Sequence, residues 1–134
     1  METAKEFQKL CKGLQHVGIP TADLQKTLAF YEGLGFETVY QVKNEAAGED
    51  VAFLRLQGLT LEVYENGKAA MESGAIDHLA IDVTDVEAAY RLAQEQGYEI
   101  VSDGVEFLPF WNNGVKYFIL LGPNRERIEF NQYL

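Results

Sequence analysis

Residues 14–37, LQHVGIPTADLQKTLAFYEGLGFE, and residues 76–99, IDHLAIDVTDVEAAYRLAQEQGYE, align without a gap. His16 falls on His78, Asp23 on Asp85, Gly35 on Gly97, Phe36 on Tyr98 and Glu37 on Glu99. A unit of about 60 residues present twice is too long and too rarely repeated for a solenoid, so the pattern reads as a duplicated half-domain.

Each copy opens on a short apolar strand, 14–19 or 76–83, that contains its histidine. A helix follows, with Leu24, Leu28 and Tyr31 in one copy and Val86, Tyr90 and Ala93 in the other at helical spacing. The helices open on TAD and TDVE, where Thr84 and Glu87 fit a capping box, and they stop at Gly35 and Gly97. Three strands complete each copy, over 36–43, 50–57 and 59–65 and over 98–103, 115–121 and 126–132. A tight QG turn joins the last two in the first copy, and GPNR joins them in the second. The polar segment GKAAMESGA, 67–75, links the copies, and residues 3–11 read as an extra helix. The expected fold class is α+β: two tandem βαβββ modules, 12–66 and 76–134, in a single domain spanning 1–134.

Composition narrows the function. The 134 residues carry a net charge of −10 and no Lys/Arg cluster, which argues against a nucleic-acid partner. No apolar run approaches the roughly 20 residues that a bilayer span needs, so no membrane role is expected. The single cysteine, Cys11, allows no internal disulfide, and METAKEFQKLCKGLQ lacks the apolar core of a signal peptide. A cytoplasmic protein is the expectation.

Alternation along a strand then decides which face each polar residue occupies. Leu79, Ile81 and Val83 take the core side of their strand, leaving His78, Ala80 and Asp82 opposite; Val17 and Ile19 likewise leave His16 and Gly18. In the closing strands Leu61 and Val63, or Ile128 and Phe130, face the core, and Glu62 and Glu129 face away at equivalent positions. Any one of these four polar residues, taken singly, fits a structural or solvated role. Taken together, they place both histidines of the chain and a matching pair of glutamates on the non-core faces of two equivalent halves. Two imidazoles and two carboxylates make a mixed N/O donor set suited to a borderline divalent metal such as Ni, Co, Zn, Mn or Fe(II). Four protein ligands leave two octahedral positions open, as a catalytic site requires.

The stretches HVGIPTADLQKTLAFYEGLGFE, LTLEVYEN, IDHLAIDVTDVEAAYRLAQEQGYE and LGPNRERIEFNQ resemble the vicinal oxygen chelate superfamily, which includes glyoxalase I, epimerases, dioxygenases and drug-resistance proteins. The resemblance implies a cupped mixed β-sheet around one divalent ion, held by His16, Glu62, His78 and Glu129, and a homodimer. The order His, Glu, His, Glu resembles bacterial glyoxalase I (lactoylglutathione lyase), which favours nickel or cobalt over zinc. It implies lyase or isomerase chemistry, in which a small α-oxo or thiol-adduct substrate is chelated by the metal and a proton moves through its enediolate. Glu129 is the candidate base, and Glu62 can share that role from the other side. Asn66 matches a glyoxalase I position that contacts glutathione; Arg55, Tyr64, Trp111, Tyr117 and Asn131 are further candidates to contact the substrate. Pro20 stands where glyoxalase I usually has an arginine, and FLPFWNNGVKYF is aromatic where the family has a basic loop. These departures leave the thiol carrier open and keep two alternatives in view: an epimerase or sugar-directed isomerase on the same metal site, and a non-catalytic binding or resistance protein.

Overall fold

A computed structural model describes residues 2–134. The chain divides into two compact units, the first ending at Lys68 and the second beginning at Ala69. The first contains α1 (Glu2–Leu10), β1 (Val17–Pro20), α2 (Leu24–Gly33), β2 (Glu37–Asn44), β3 (Glu49–Leu56) and β4 (Leu59–Glu65). The second contains β5 (His78–Asp82), α3 (Val86–Glu95), β6 (Glu99–Ile100), β7 (Glu106–Leu108), β8 (Val115–Leu121) and β9 (Arg127–Tyr133). The α+β class and the repeated βαβββ order are those expected from the sequence.

Within each unit the first strand pairs in parallel with the last. The sheets run β1-β4-β3-β2 and β5-β9-β8-β6, with β7 also on β8. A parallel pair demands a crossover, and α2 or α3 supplies its helical part. Each helix buries one stripe against its sheet: Leu24, Thr27, Leu28 and Tyr31 in α2, Val86 and Ala93 in α3. Leu54, Leu61 and Val63 in the first unit and Phe118, Leu120 and Ile128 in the second are wholly buried beneath them. The inward–outward alternation inferred for the closing strands is therefore observed.

Both helices end as expected, with Gly35 (φ 102°) and Gly97 (φ 72°) in the left-handed region that a side chain disfavours. Their beginnings correct the sequence reading. The N-caps are Asp23, whose Oδ1 accepts from Lys26 N at 3.1 Å, and Asp85, whose Oδ1 accepts from Ala88 N at 3.0 Å. No Thr84–Glu87 capping box forms. The helix starts one residue later, and Glu87 turns to Lys116, 3.8 Å away.

A second tie had no counterpart in the sequence reading. The first amide of α2, Leu24 N, donates to Glu65 Oε1 at 2.7 Å, and the first amide of α3, Val86 N, donates to Gln132 Oε1 at 2.9 Å. Glu65 and Gln132 stand at equivalent positions, three residues after Glu62 and Glu129, so each crossover helix is bonded to the strand that carries the glutamate.

Two further differences concern strand limits. The expected strand 98–103 is only Glu99–Ile100, and a separate β7 continues along β8 after the bends at 102–105. Ser102 explains the break: its hydroxyl accepts from Ile119 N and donates to Gly104 O, taking the place of a ladder bond. The histidines lie at strand starts rather than inside strands, His16 just before β1 and His78 first in β5. Helix α1 is present where one was expected, and none of its residues is buried. Among the described residues no helix is long and apolar enough to cross a membrane.

Glu65→Ala and Gln132→Ala are each expected to destabilise their unit by about 1–2 kcal/mol, because a helix amide loses its partner. Urea unfolding checks this as a lower midpoint at unchanged slope.

Candidate metal centre

The parallel register fixes what faces what. Gly18 lies opposite Glu62 in β1–β4, and Ala80 lies opposite Glu129 in β5–β9. Both partners are small, so nothing bulky stands between each glutamate and the histidine two residues earlier on the same face. His16 Nε2 is 3.5 Å from Glu62 Oε1, and His78 Nε2 is 3.6 Å from Glu129 Oε1. The two units thus form the same His–Glu pair independently. Among the described residues no group of three or more His, Cys, Asp or Glu is close enough to hold a metal by itself. Each unit offers one imidazole and one carboxylate.

The outer nitrogens show which lone pair is offered. His16 Nδ1 is 2.9 Å from Gln15 Oε1, and His78 Nδ1 is 2.9 Å from Asp77 Oδ2. Both partners are oxygens that can accept a proton, so Nδ1 is the ring nitrogen placed to donate, and Nε2 is the one that faces a carboxylate. A neutral imidazole in this orientation and a carboxylate offer two electron pairs that one cation can share. The gaps of 3.5 and 3.6 Å are too long for a hydrogen bond and can be bridged by one ion with bonds of about 2.0–2.2 Å. The residues present fit a divalent metal.

The surroundings of the pairs differ. Glu129 Oε2 accepts from Asn131 Nδ2 at 2.8 Å, and the side chain is 14% exposed against 30% for Glu62. Arg127 Nε stands 3.5 Å from Asp77 Oδ2, an ion pair rather than a hydrogen bond. The His78 hydrogen bond is the largest influence on the Asp77 carboxyl and holds it below the usual carboxylate range; desolvation comes next and opposes it, and the charges of Arg127 and then His78 add to the lowering. His16 has instead the edge of Phe53, with ring centroids 5.8 Å apart.

The remaining candidates separate. Asn131 touches Glu129 directly, and Tyr64 lies two positions beyond Glu62 on the same face. Trp111 is 77% exposed, so it is not a core residue; it packs edge-on against Tyr133. Together with Ala80, Asp82, Phe110, Val115 and Asn131 these two rings line a cavity of about 150 Å³ beside the second pair. Asp82 and Tyr133 had not been among the expected site residues, whereas Phe110 lies in the aromatic loop stretch FLPFWNNGVKYF singled out from the sequence. Parity alone places Asp82 on the His78 face and Tyr133 on the Glu129 face. Arg55 donates through Nε to Thr60 Oγ1 at 3.3 Å, and Asn66 bonds Glu49 at 3.1 Å and Lys68 N at 2.9 Å. Neither touches a His–Glu pair. Tyr117 sits opposite Asn131 and hydrogen-bonds Glu106. That bond, then burial, then the charges of Glu106 and Glu129 push its ionisation up.

Two βαβββ units, each presenting a His–Glu pair on the open face of a sheet, are the architecture of a class of duplicated metal-binding folds. The chain belongs to the Glyoxalase/Bleomycin resistance protein/Dioxygenase superfamily, whose family profile matches residues 13–130. It is 27% identical over 128 residues to the uncharacterized protein YwbC of Bacillus subtilis (strain 168), covering 92% of this chain and 99% of that one. A glyoxalase family protein from Enterococcus faecalis superposes with a TM-score of 0.76 at 25% identity, over 91% of this chain and 98% of the other. The fosfomycin resistance protein FosX of Listeria monocytogenes, complexed with Mn(II) and sulfate, has a TM-score of 0.72 at 18% identity, over 92% and 94%. At that identity the likeness is one of fold.

Because the Tyr117 phenol is held neutral, its contribution to stability persists below the ordinary tyrosine range and is lost as pH rises through its raised pKa. In an alkaline absorbance titration, Tyr117→Phe should remove a late-ionising tyrosine; an unchanged late limb would contradict this.

Proposed function

We propose that the two His–Glu pairs are halves of one divalent-metal site and that the protein is a metal-dependent lyase or isomerase of the glyoxalase I type. His16, Glu62, His78 and Glu129 are the ligands, and nickel, cobalt or zinc is the ion. The observation that carries this reading is the repeated approach of a histidine Nε2 to a carboxylate oxygen, at 3.5 and 3.6 Å. The halves come from one chain or from two copies in a homodimer.

A divalent ion held by His16, Glu62, His78 and Glu129 would supply Lewis acidity and stabilise negative charge developing on substrate oxygen. The histidines stay in place, oriented through Nδ1. Glu129 takes the proton from the substrate carbon and returns it to the adjacent one; Glu62 is placed to do the same from the other pair. Asn131 keeps the departing carboxylate aimed, because it holds Oε2 and leaves Oε1 for the reaction.

The cavity beside the second pair supports a second reading, of an epimerase or sugar-directed isomerase. Its lining contains three aromatic rings, Asp82 and Asn131, and no lysine or arginine. Such a wall suits a neutral or cationic substrate handle and gives no grip to the carboxylates of glutathione.

Calorimetric titration with Ni(II), Co(II) and Zn(II) should show one ion per four-ligand set, with binding lost in His78→Ala. Glu129→Gln should keep metal and lose about 10²–10⁴-fold in turnover. The assay pairs the methylglyoxal–glutathione adduct with neutral α-hydroxy ketones. Full activity in Glu129→Gln would remove that residue as base, and absence of specific metal binding would remove the reading itself.

A further inference from the structure

The duplication allows the two pairs to be compared as if one were a variant of the other. At the position before the histidine, the first unit has Gln15 and the second Asp77, each 2.9 Å from Nδ1. The geometry is the same and the chemistry is not. An amide oxygen accepts a neutral hydrogen bond; a carboxylate accepts a charge-assisted one, roughly twice as strong. It also raises the electron density that Nε2 offers to a ligand.

The difference extends through the second unit. Arg127, the strand partner of His78, stands 3.5 Å from Asp77, whereas Thr60 occupies the equivalent position in the first unit. Glu129 is held at 2.8 Å by Asn131, where the first unit has Tyr64, and the Glu62 carboxylate accepts no hydrogen bond among the described residues. The second unit therefore has a continuous chain, Arg127–Asp77–His78 facing Glu129–Asn131. The first has only Gln15–His16 facing a freer Glu62. The exposed Arg127–Asp77 pair is worth little energy by itself, so the effect lies in the Asp77–His78 bond.

We infer that Asp77 is a positioning residue, which fixes His78 with its proton on Nδ1 and makes the His78–Glu129 pair the preorganised, stronger half of the metal site. The His16–Glu62 pair is the weaker and more adaptable half. This inference rests on the metal reading above.

The chain has only two histidines, so each imidazole can be followed by nitrogen-15 NMR without ambiguity, using His16→Ala for assignment. In the metal-free protein at mildly alkaline pH, His78 should be the Nδ1–H tautomer. Asp77→Asn should keep that tautomer, since the amide oxygen still accepts, and Asp77→Ala should release it toward Nε2–H. His16 should not respond to either change. For Ni(II) measured by calorimetry, Asp77→Ala should weaken binding by about 10–100-fold, the usual cost of removing a ligand's outer partner. Asp77→Asn should fall between Asp77→Ala and wild type, and Gln15→Ala should cost less than Asp77→Ala. An unchanged tautomer and affinity in Asp77→Ala overturns the positioning role, and equal losses in Gln15→Ala and Asp77→Ala overturn the asymmetry. These failures differ from failure of the metal reading, in which wild type itself binds no ion and both ideas fall.

Discussion

The parallel pairing of first and last strand in each unit is the constraint on which the rest depends. It puts Gly18 against Glu62 and Ala80 against Glu129, and its register is fixed by burial rather than by the polar residues themselves. Leu61, Val63 and Ile128 are fully covered on the opposite face. A slip of one residue would turn those side chains outward and drive both glutamates into the core. The cost of that exchange, several buried aliphatic groups and a desolvated carboxylate, holds each His–Glu pair in place. The site is thus positioned by the core beneath it. The bonds from Leu24 N to Glu65 and from Val86 N to Gln132 extend the constraint, because they tie each crossover helix to the glutamate strand.

Where the halves have diverged, the changes leave that pairing alone. The buried hydroxyl pair Thr21–Thr27, 2.8 Å apart, stands where the second unit has Val83 and Ala89. One polar contact has been exchanged for apolar packing, an exchange that is tolerated when both partners change together. The larger change is at the far edge of the second sheet. The continuous eight-residue β2 of the first unit corresponds to β6 and β7, interrupted around Ser102. Beyond β7 the chain turns through Phe110 and Trp111, and the aromatic cavity forms beside His78 and Glu129. Interrupting an edge strand removes little core and frees a segment to build a pocket wall, which is why such elaboration belongs at an edge.

The fold was legible because two signals reinforced each other: gapless self-similarity, and alternation that left one repeated polar residue on each outer strand. Parity placed each histidine and each glutamate on a non-core face; that they stand side by side within a unit comes from the parallel register of first and last strand. The capping box was misread because Thr84 and Asp85 are both good caps, and only the true start of α3 chooses between them. The strand 98–103 was overextended because Tyr98, Ile100 and Val101 are β-forming, while a single hydroxyl at Ser102 competes with the ladder. Asp82 and Tyr133 were available to the parity argument that found His78 and Glu129. Phe110 was signalled only by the aromatic composition of its loop, because loop direction leaves no periodic trace in a sequence.

The charge of the proposed site also bears on its chemistry. Two carboxylates and two neutral imidazoles carry a charge of −2 between them, which a divalent ion cancels. A neutral oxygen pair then binds without an added ionic term, consistent with a cavity wall lacking lysine and arginine. In the proposed reaction Glu129 would take a proton from substrate carbon, so the negative charge it loses would reappear on the substrate, and the total for ligands and substrate together would be unchanged. Charge moves a short distance among fixed donors instead of being created in a place of low polarity. This is the condition under which prearranged groups lower a barrier most, because nothing around them has to reorient. An outer partner such as Asp77 serves that end best when it holds its histidine still. The carboxylate that reacts needs the opposite property on one of its oxygens. Glu129 combines them, with Oε2 fastened to Asn131 and Oε1 turned toward His78.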